Sequence, residues 1–156
     1  MKKWALYCGA ILAIGIFIRI KPTGVDVAAL EPVELLYVDS RNGMYYLATD
    51  TGQEGSGKTV ALAVSDLKAR SSGKIFLNTA EHLLVAPSAW EAVERFSRHL
   101  RPDCSVVIAA GQPDVEAVSQ FLRTHKPGFT INDLRAGDTD VPLLHANEGG
   151  MLLEKP

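Results

Sequence analysis

At 156 residues the chain has room for one compact domain plus a membrane segment or a tail, and not for two full domains. Its net charge of -2 comes from 16 basic and 18 acidic residues interspersed along the chain, so no broad basic surface invites nucleic acid. The two cysteines, Cys8 in an apolar run and Cys104 far downstream, exclude a disulfide framework and a thiolate metal cluster, and Cys104 reads as a buried structural thiol.

Met1-Lys2-Lys3 heads an apolar run from Trp4 to Ile18, closed by Arg19, Ile20 and Lys21. As a helix from Trp4 to Ile20, with Arg19 snorkelling, it reaches roughly 25 Å at 1.5 Å per residue, just enough to cross a bilayer. A cleavable signal peptide is the alternative. The tolerable cleavage site, Val27-Ala28-Ala29, lies well beyond the run, which favours an uncleaved anchor over residues 1–21. Cys8 follows Leu6 and Tyr7, not the Leu-small-small pattern of a lipoprotein signal. Lys2, Lys3 and the free amine outweigh Arg19 and Lys21, which places the rest of the chain outside the cytoplasm. Residues 22–32, with Pro22, Gly24 and Pro32, read as a linker that lifts the domain off the membrane.

Val33 to Val38 and Met44 to Thr49 are apolar runs around Asp39-Ser40-Arg41-Asn42-Gly43, a hairpin signal in which Asn42-Gly43 suits positive φ. From Thr59 the period changes: Val60, Ala63, Val64 and Leu67 fall on one helical face, and Ser72-Gly73 ends the helix near Ser71. After the short step Lys74 to Leu77, His82 to Ala86 reads as a buried strand. Ser88 and Glu91 then stand at capping-box spacing before a helix whose stripe is Trp90, Val93, Phe96 and Leu100. Ser105 to Ala110 is a Val- and Ile-rich central strand, and a helix with the stripe Val115, Val118, Phe121 and Leu122 follows it. Phe129 to Leu134 is an edge strand or the start of a tail, and residues 135–156 are expected to be largely irregular, with apolar islands at Val141–Leu144 and Met151–Leu153. The expected fold is an α/β domain over residues 33–134: a small mixed sheet with an N-terminal β-hairpin and about three packing helices, preceded by one transmembrane helix.

The one string with a chemical motif is Gly52-Gln53-Glu54-Gly55-Ser56-Gly57-Lys58-Thr59, which matches the phosphate-binding P-loop pattern. Used that way, Gly57, Lys58 and Thr59 would hold a nucleotide, and the protein would be a small membrane-attached nucleotide hydrolase. Such a hydrolase also needs an acid at a strand tip to hold magnesium, and Ser105 to Ala110 ends in Ala109-Ala110-Gly111. The competing reading takes Gly52, Gly55 and Gly57 as a flexible turn, with Ser56 or Thr59 capping the helix that follows. His82, His99, His125 and His145 show no metal-ligand spacing, and no nucleophile–base set stands out. No catalytic residue, cofactor or metal is expected.

The order of these elements resembles the N-terminal domain of the C subunit of bacterial spore germinant receptors, the GerC-like family. The likeness runs from about Val33 to Leu122: the hairpin with Asp39 and Gly43, Gly57-Lys58-Thr59 opening a helix with Ala63 and Leu67, and the Lys74-Ile75-Phe76-Leu77 step. It continues through the His82 to Ala86 strand, the Trp90 to Leu100 helix, and Val106-Val107-Ile108-Ala109 before Gly111 and a further helix. Where the family tends to have Gly-His after the Phe step, this sequence has Asn78-Thr79. Family members are usually lipoproteins with further domains, so the resemblance is to a short single-domain relative. It implies a membrane-tethered, extracytoplasmic, non-enzymatic component that works with integral membrane subunits, in which Gly-Lys-Thr opens a helix and binds no nucleotide.

Overall fold

The Asn42-Gly43 pair turns the chain as its residue types demand: both residues have positive φ, 51° and 73°, and they join β2 (Leu35–Arg41) to β3 (Met44–Thr49) in antiparallel register. The computed structural model describes residues 30–147 and 150–155. The expected transmembrane helix over residues 1–21 lies outside that range. Among the described residues no helix is long and apolar enough to cross a membrane.

Around this hairpin the chain builds a mixed α/β fold. In chain order the remaining elements are β1 (Leu30–Pro32), β4 (Glu54–Gly57), α1 (Val60–Arg70), β5 (Lys74–Phe76), β6 (His82–Val85), α2 (Val93–Ser97), β7 (Ser105–Ala110), α3 (Val115–Thr124), α4 (Ile131–Arg135), β8 (Leu143–Asn147) and β9 (Gly150–Glu154). Seven strands form one sheet in the order β4-β3-β2-β6-β7-β8-β9, and β1 pairs separately with β5. Strands β2, β6, β7 and β8 are parallel, with antiparallel pairs at both ends.

Parallel strands covered on both faces carry near-continuous apolar runs, and β2 and β6 do so. Leu36, Val38, Leu83 and Val85 point to the face covered by α1 and α2, where they meet Ala63, Leu67 and Phe96. Leu35, Tyr37, Leu84 and Val107 point to the other face, under Val118 and Leu122 of α3. Each fully buried Leu contributes about 1.5–3 kcal/mol relative to an exposed one, so these two layers hold the helices on the two faces of the sheet.

The structure corrects the sequence reading in several places. Ser88 and Glu91 do not form a capping box: Pro87–Ala92 is a 3-10 turn without a side-chain cap, and the Ser88 hydroxyl instead donates to Asp39 Oδ1 at 2.7 Å. Phe129 to Leu134 is not an edge strand. The Phe129 carbonyl accepts from Val106 N–H at 2.9 Å, and Thr130 and Asp133 form a capping box that opens α4. The tail after residue 135 is not largely irregular, since its two apolar islands become β8 and β9, with Leu144 buried beside Ala109. Finally, residues 30–32 of the expected linker form β1, and the sheet is larger than the small one anticipated.

At the start of β6 and β7 two polar side chains are buried together. His82 Nδ1 lies 2.6 Å from Ser105 Oγ, and the Ser105 hydroxyl donates to the Glu81 carbonyl at 3.2 Å. Burial disfavours the imidazolium and pushes the His82 pKa below its ordinary value, which the Glu81 and Glu34 charges only partly offset. His99 is shifted the same way, by burial and then by Lys68. Below about pH 6.5 the unfolded chain therefore takes up protons that the folded chain refuses, so stability falls as the pH is lowered, more through the buried His82 than through the partly exposed His99. Thermal melts between pH 7.5 and 5.5 should show that loss, and His82→Asn should remove the share due to His82 while leaving the share due to His99.

Candidate functional site

The motif stretch is built as a sheet edge and a helix start. Gly52 has φ 77° and turns the chain, after which β4 pairs with β3, Gly55 opposite Leu47 and Gly57 opposite Tyr45. Both of these glycines face α1 at backbone contact. A Cβ at Gly55 would lie 2.4 Å from the Leu67 nitrogen, and one at Gly57 would lie 2.5 Å from the Ala63 nitrogen. Gly55 and Gly57 thus belong to a strand, not to the flexible turn expected for them, and they are glycines because the helix leaves no space for a side chain.

A phosphate cradle needs backbone N–H groups converging on an outside anion. Here the Ser56 N–H donates to Asp66 Oδ2 of α1 at 2.8 Å, so the protein's own carboxylate meets it. That N–H, and then Arg70, hold the Asp66 carboxyl below its ordinary range. Thr59 is the helix cap, its hydroxyl accepting from Leu62 N–H at 3.2 Å, and Lys58 is exposed. Gly57, Lys58 and Thr59 are therefore adjacent but divide between strand, connection and cap.

The opposite face of the same hairpin holds the most promising concavity. Tyr37, Asp39 and Arg41 from β2, Tyr46 from β3, Glu54 from β4 and Gln112 after β7 line a cleft of about 330 Å³, with Arg70 at its rim. It opens at the carboxyl end of β2 and β7, where parallel α/β sheets commonly receive ligands. Asp39 is buried; Ser88 and the Ser40 N–H donate to its Oδ1, each at 2.7 Å, and Arg41 Nε donates to its Oδ2. Burial alone would raise the Asp39 pKa, but these three donors carry it below the ordinary carboxylate range. The neighbouring Tyr37 phenol is pushed up, by burial first and then by the Asp39 charge. An ionised, fully engaged carboxylate and a protonated phenol favour holding a partner over moving a proton at neutral pH. Two acids and two arginines line the cleft, so neither sign of charge dominates it.

The other sequence candidates stay apart. His125 stacks on Phe121 with ring centroids 4.1 Å apart, and His145 Nε2 lies 3.1 Å from a Glu154 carboxylate oxygen. Among the described residues no cluster of His, Cys, Asp and Glu is placed to hold a metal ion. The free Cys104 thiol is buried, and burial pushes its pKa up to about 12, so it is not a thiolate at neutral pH. Sequence reasoning missed two contacts, Ser88 to Asp39 and Asp66 to Ser56. Only the second left a trace, as an acid on the polar face of α1. Comparison with protein families, with curated proteins and with solved structures finds no match to this chain.

If the glycines serve packing, Gly55→Ala and Gly57→Ala should each cost about 1–3 kcal/mol or more through overpacking. Thr59→Ala should cost about 1 kcal/mol as a lost cap, and Lys58→Ala should stay within about 0.5 kcal/mol. Urea denaturation of the four variants checks this order.

Proposed function

We propose that this protein is a membrane-anchored, extracytoplasmic binding domain without catalytic activity, a short relative of the N-terminal domain of germinant-receptor C subunits that acts beside integral membrane subunits in germinant sensing. The observation that carries the reading is the Gly55-Ser56-Gly57-Lys58-Thr59 stretch. Thr59 caps the helix that begins at Val60, so Gly57-Lys58-Thr59 opens a helix, as the GerC-like resemblance implies for it. The reading is supported further by the order of elements from Leu35 to Thr124, in which the hairpin, the helix from Val60, the Lys74 step, the β6 strand, the helix from Val93, β7 and the helix from Val115 follow one another as in that resemblance, with β4 and the 3-10 turn Leu77–Thr79 between them in addition.

In this reading residues 1–21 anchor the chain, and the basic residues Lys2 and Lys3 stay in the cytoplasm. The cleft around Tyr37, Tyr46 and Gln112 supplies mixed polar and aromatic contacts to a partner, and no metal or nucleotide is required. Nucleic acid is not a partner, because the charges are interspersed.

Protease added to intact cells tests the topology. The domain should be digested from outside while a cytoplasmic marker survives, and crosslinking before lysis should recover it with a multi-span membrane protein. A domain that resists protease until the membrane is opened would contradict the proposal.

A further inference from the structure

The two edges of the seven-stranded sheet are finished differently. At the β4 edge the Ser56 N–H is met by Asp66, and α1 lies against the strand at backbone contact. At the other edge β9 has no further strand beside it among the described residues. Exposed edges are usually guarded by a Lys, a Pro or a bulge, because unpaired N–H and C=O groups recruit another strand. Gly150-Met151-Leu152-Leu153-Glu154 contains neither Lys nor Pro, and Leu152 is 65% exposed, the most exposed large apolar side chain among the described residues.

The two faces of β9 have different surroundings. Met151 and Leu153 are half-buried and pack on the cluster beneath α3; beside them lies a groove of about 400 Å³ that Phe121, His125 and Lys126 also line. Leu152 stands on the other face opposite His145, and the Glu154 carboxylate is 3.1 Å from His145 Nε2.

We infer that β9 pairs antiparallel with the β9 of a second copy of this chain, about a two-fold axis at Leu152, joining two sheets into one. The strand is self-complementary in that register. Leu152 meets the Leu152 of the second copy, Met151 meets its Leu153, and Glu154 meets its Gly150, so no like charges oppose each other. Moving the axis to Leu153 would keep one apolar pair, Leu153 with Leu153, but would set Leu152 against Glu154 and Met151 against Lys155. The pairing extends the apolar layer of Met151, Leu153 and Phe121 across the seam and satisfies the free backbone edge by strand addition.

The test is sedimentation of the full chain in a mild detergent that accommodates its apolar N-terminus, over a range of concentrations. The wild type should form a concentration-dependent dimer. Leu152→Lys and Leu152→Glu, at a position exposed in the single copy, should each keep the wild-type circular dichroism and raise the dimer dissociation constant at least tenfold. Mixing the two variants should restore a dimer, because opposite charges then face each other. A wild type that stays monomeric overturns the inference. Variants that dimerise like the wild type, or a mixture that stays monomeric, overturn it as well.

Discussion

Everything at the hairpin end of this sheet depends on how closely α1 lies on β4. The contact is backbone on backbone, with the Leu67 and Ala63 nitrogens where side chains at Gly55 and Gly57 would have to go. A helix that close cannot slide, so it fixes the register of β4 on β3 and closes that edge of the sheet. It also brings Asp66 onto the Ser56 N–H. The same three residues that make a phosphate motif in sequence are thereby used up as strand, connection and cap. A motif fixes residue types at a spacing, and the helix that packs on it decides what those types do.

The hairpin geometry also creates the cleft on the other face. Alternation along β2 and β3 sends Leu36, Val38 and Leu47 into the layer beneath α1, and sends Tyr37, Asp39, Tyr46 and Ala48 to the opposite side, beyond the part that α3 covers. Asp39 is held there by Ser88, which arrives from the turn after β6. The carboxylate therefore fastens the carboxyl end of β2 to the next crossover, and the tyrosines and Gln112 are left to meet whatever enters.

Much of this was legible in the residues, and what was not has physical reasons. Asn42-Gly43 announced its turn because few other residues accept positive φ, and the stripe Val60, Ala63, Val64 and Leu67 announced α1 because all four are buried on one face. Val106 and Val107 announced a covered strand for a different reason, since adjacent apolar residues on a strand point to opposite faces and both faces here are buried. Ser88 misled because local spacing suggested a cap, while a buried carboxylate far away in sequence offered a better partner. Residues 143–154 misled because each apolar island is too short to show a period. They become strands only when β7 offers Ile108 to Ala110 as a template. Phe129 to Leu134 misled because the helix it opens is only five residues long, too short to show a period, and its start is set by the Thr130 and Asp133 capping box. The cleft was invisible, since its lining comes from β2, β3, β4 and the turn after β7, and no local pattern joins them.

The central claim is that Gly55 to Thr59 is a packing device and not a phosphate site. Backbone amide resonances of Ser56, Gly57, Lys58 and Thr59, followed while Mg-ATP or Mg-GTP is added, test it most directly. The account predicts that these resonances stay in place at millimolar nucleotide, with the Ser56 amide held by Asp66 throughout. Saturable shifts at these amides that vanish in Lys58→Ala would contradict it.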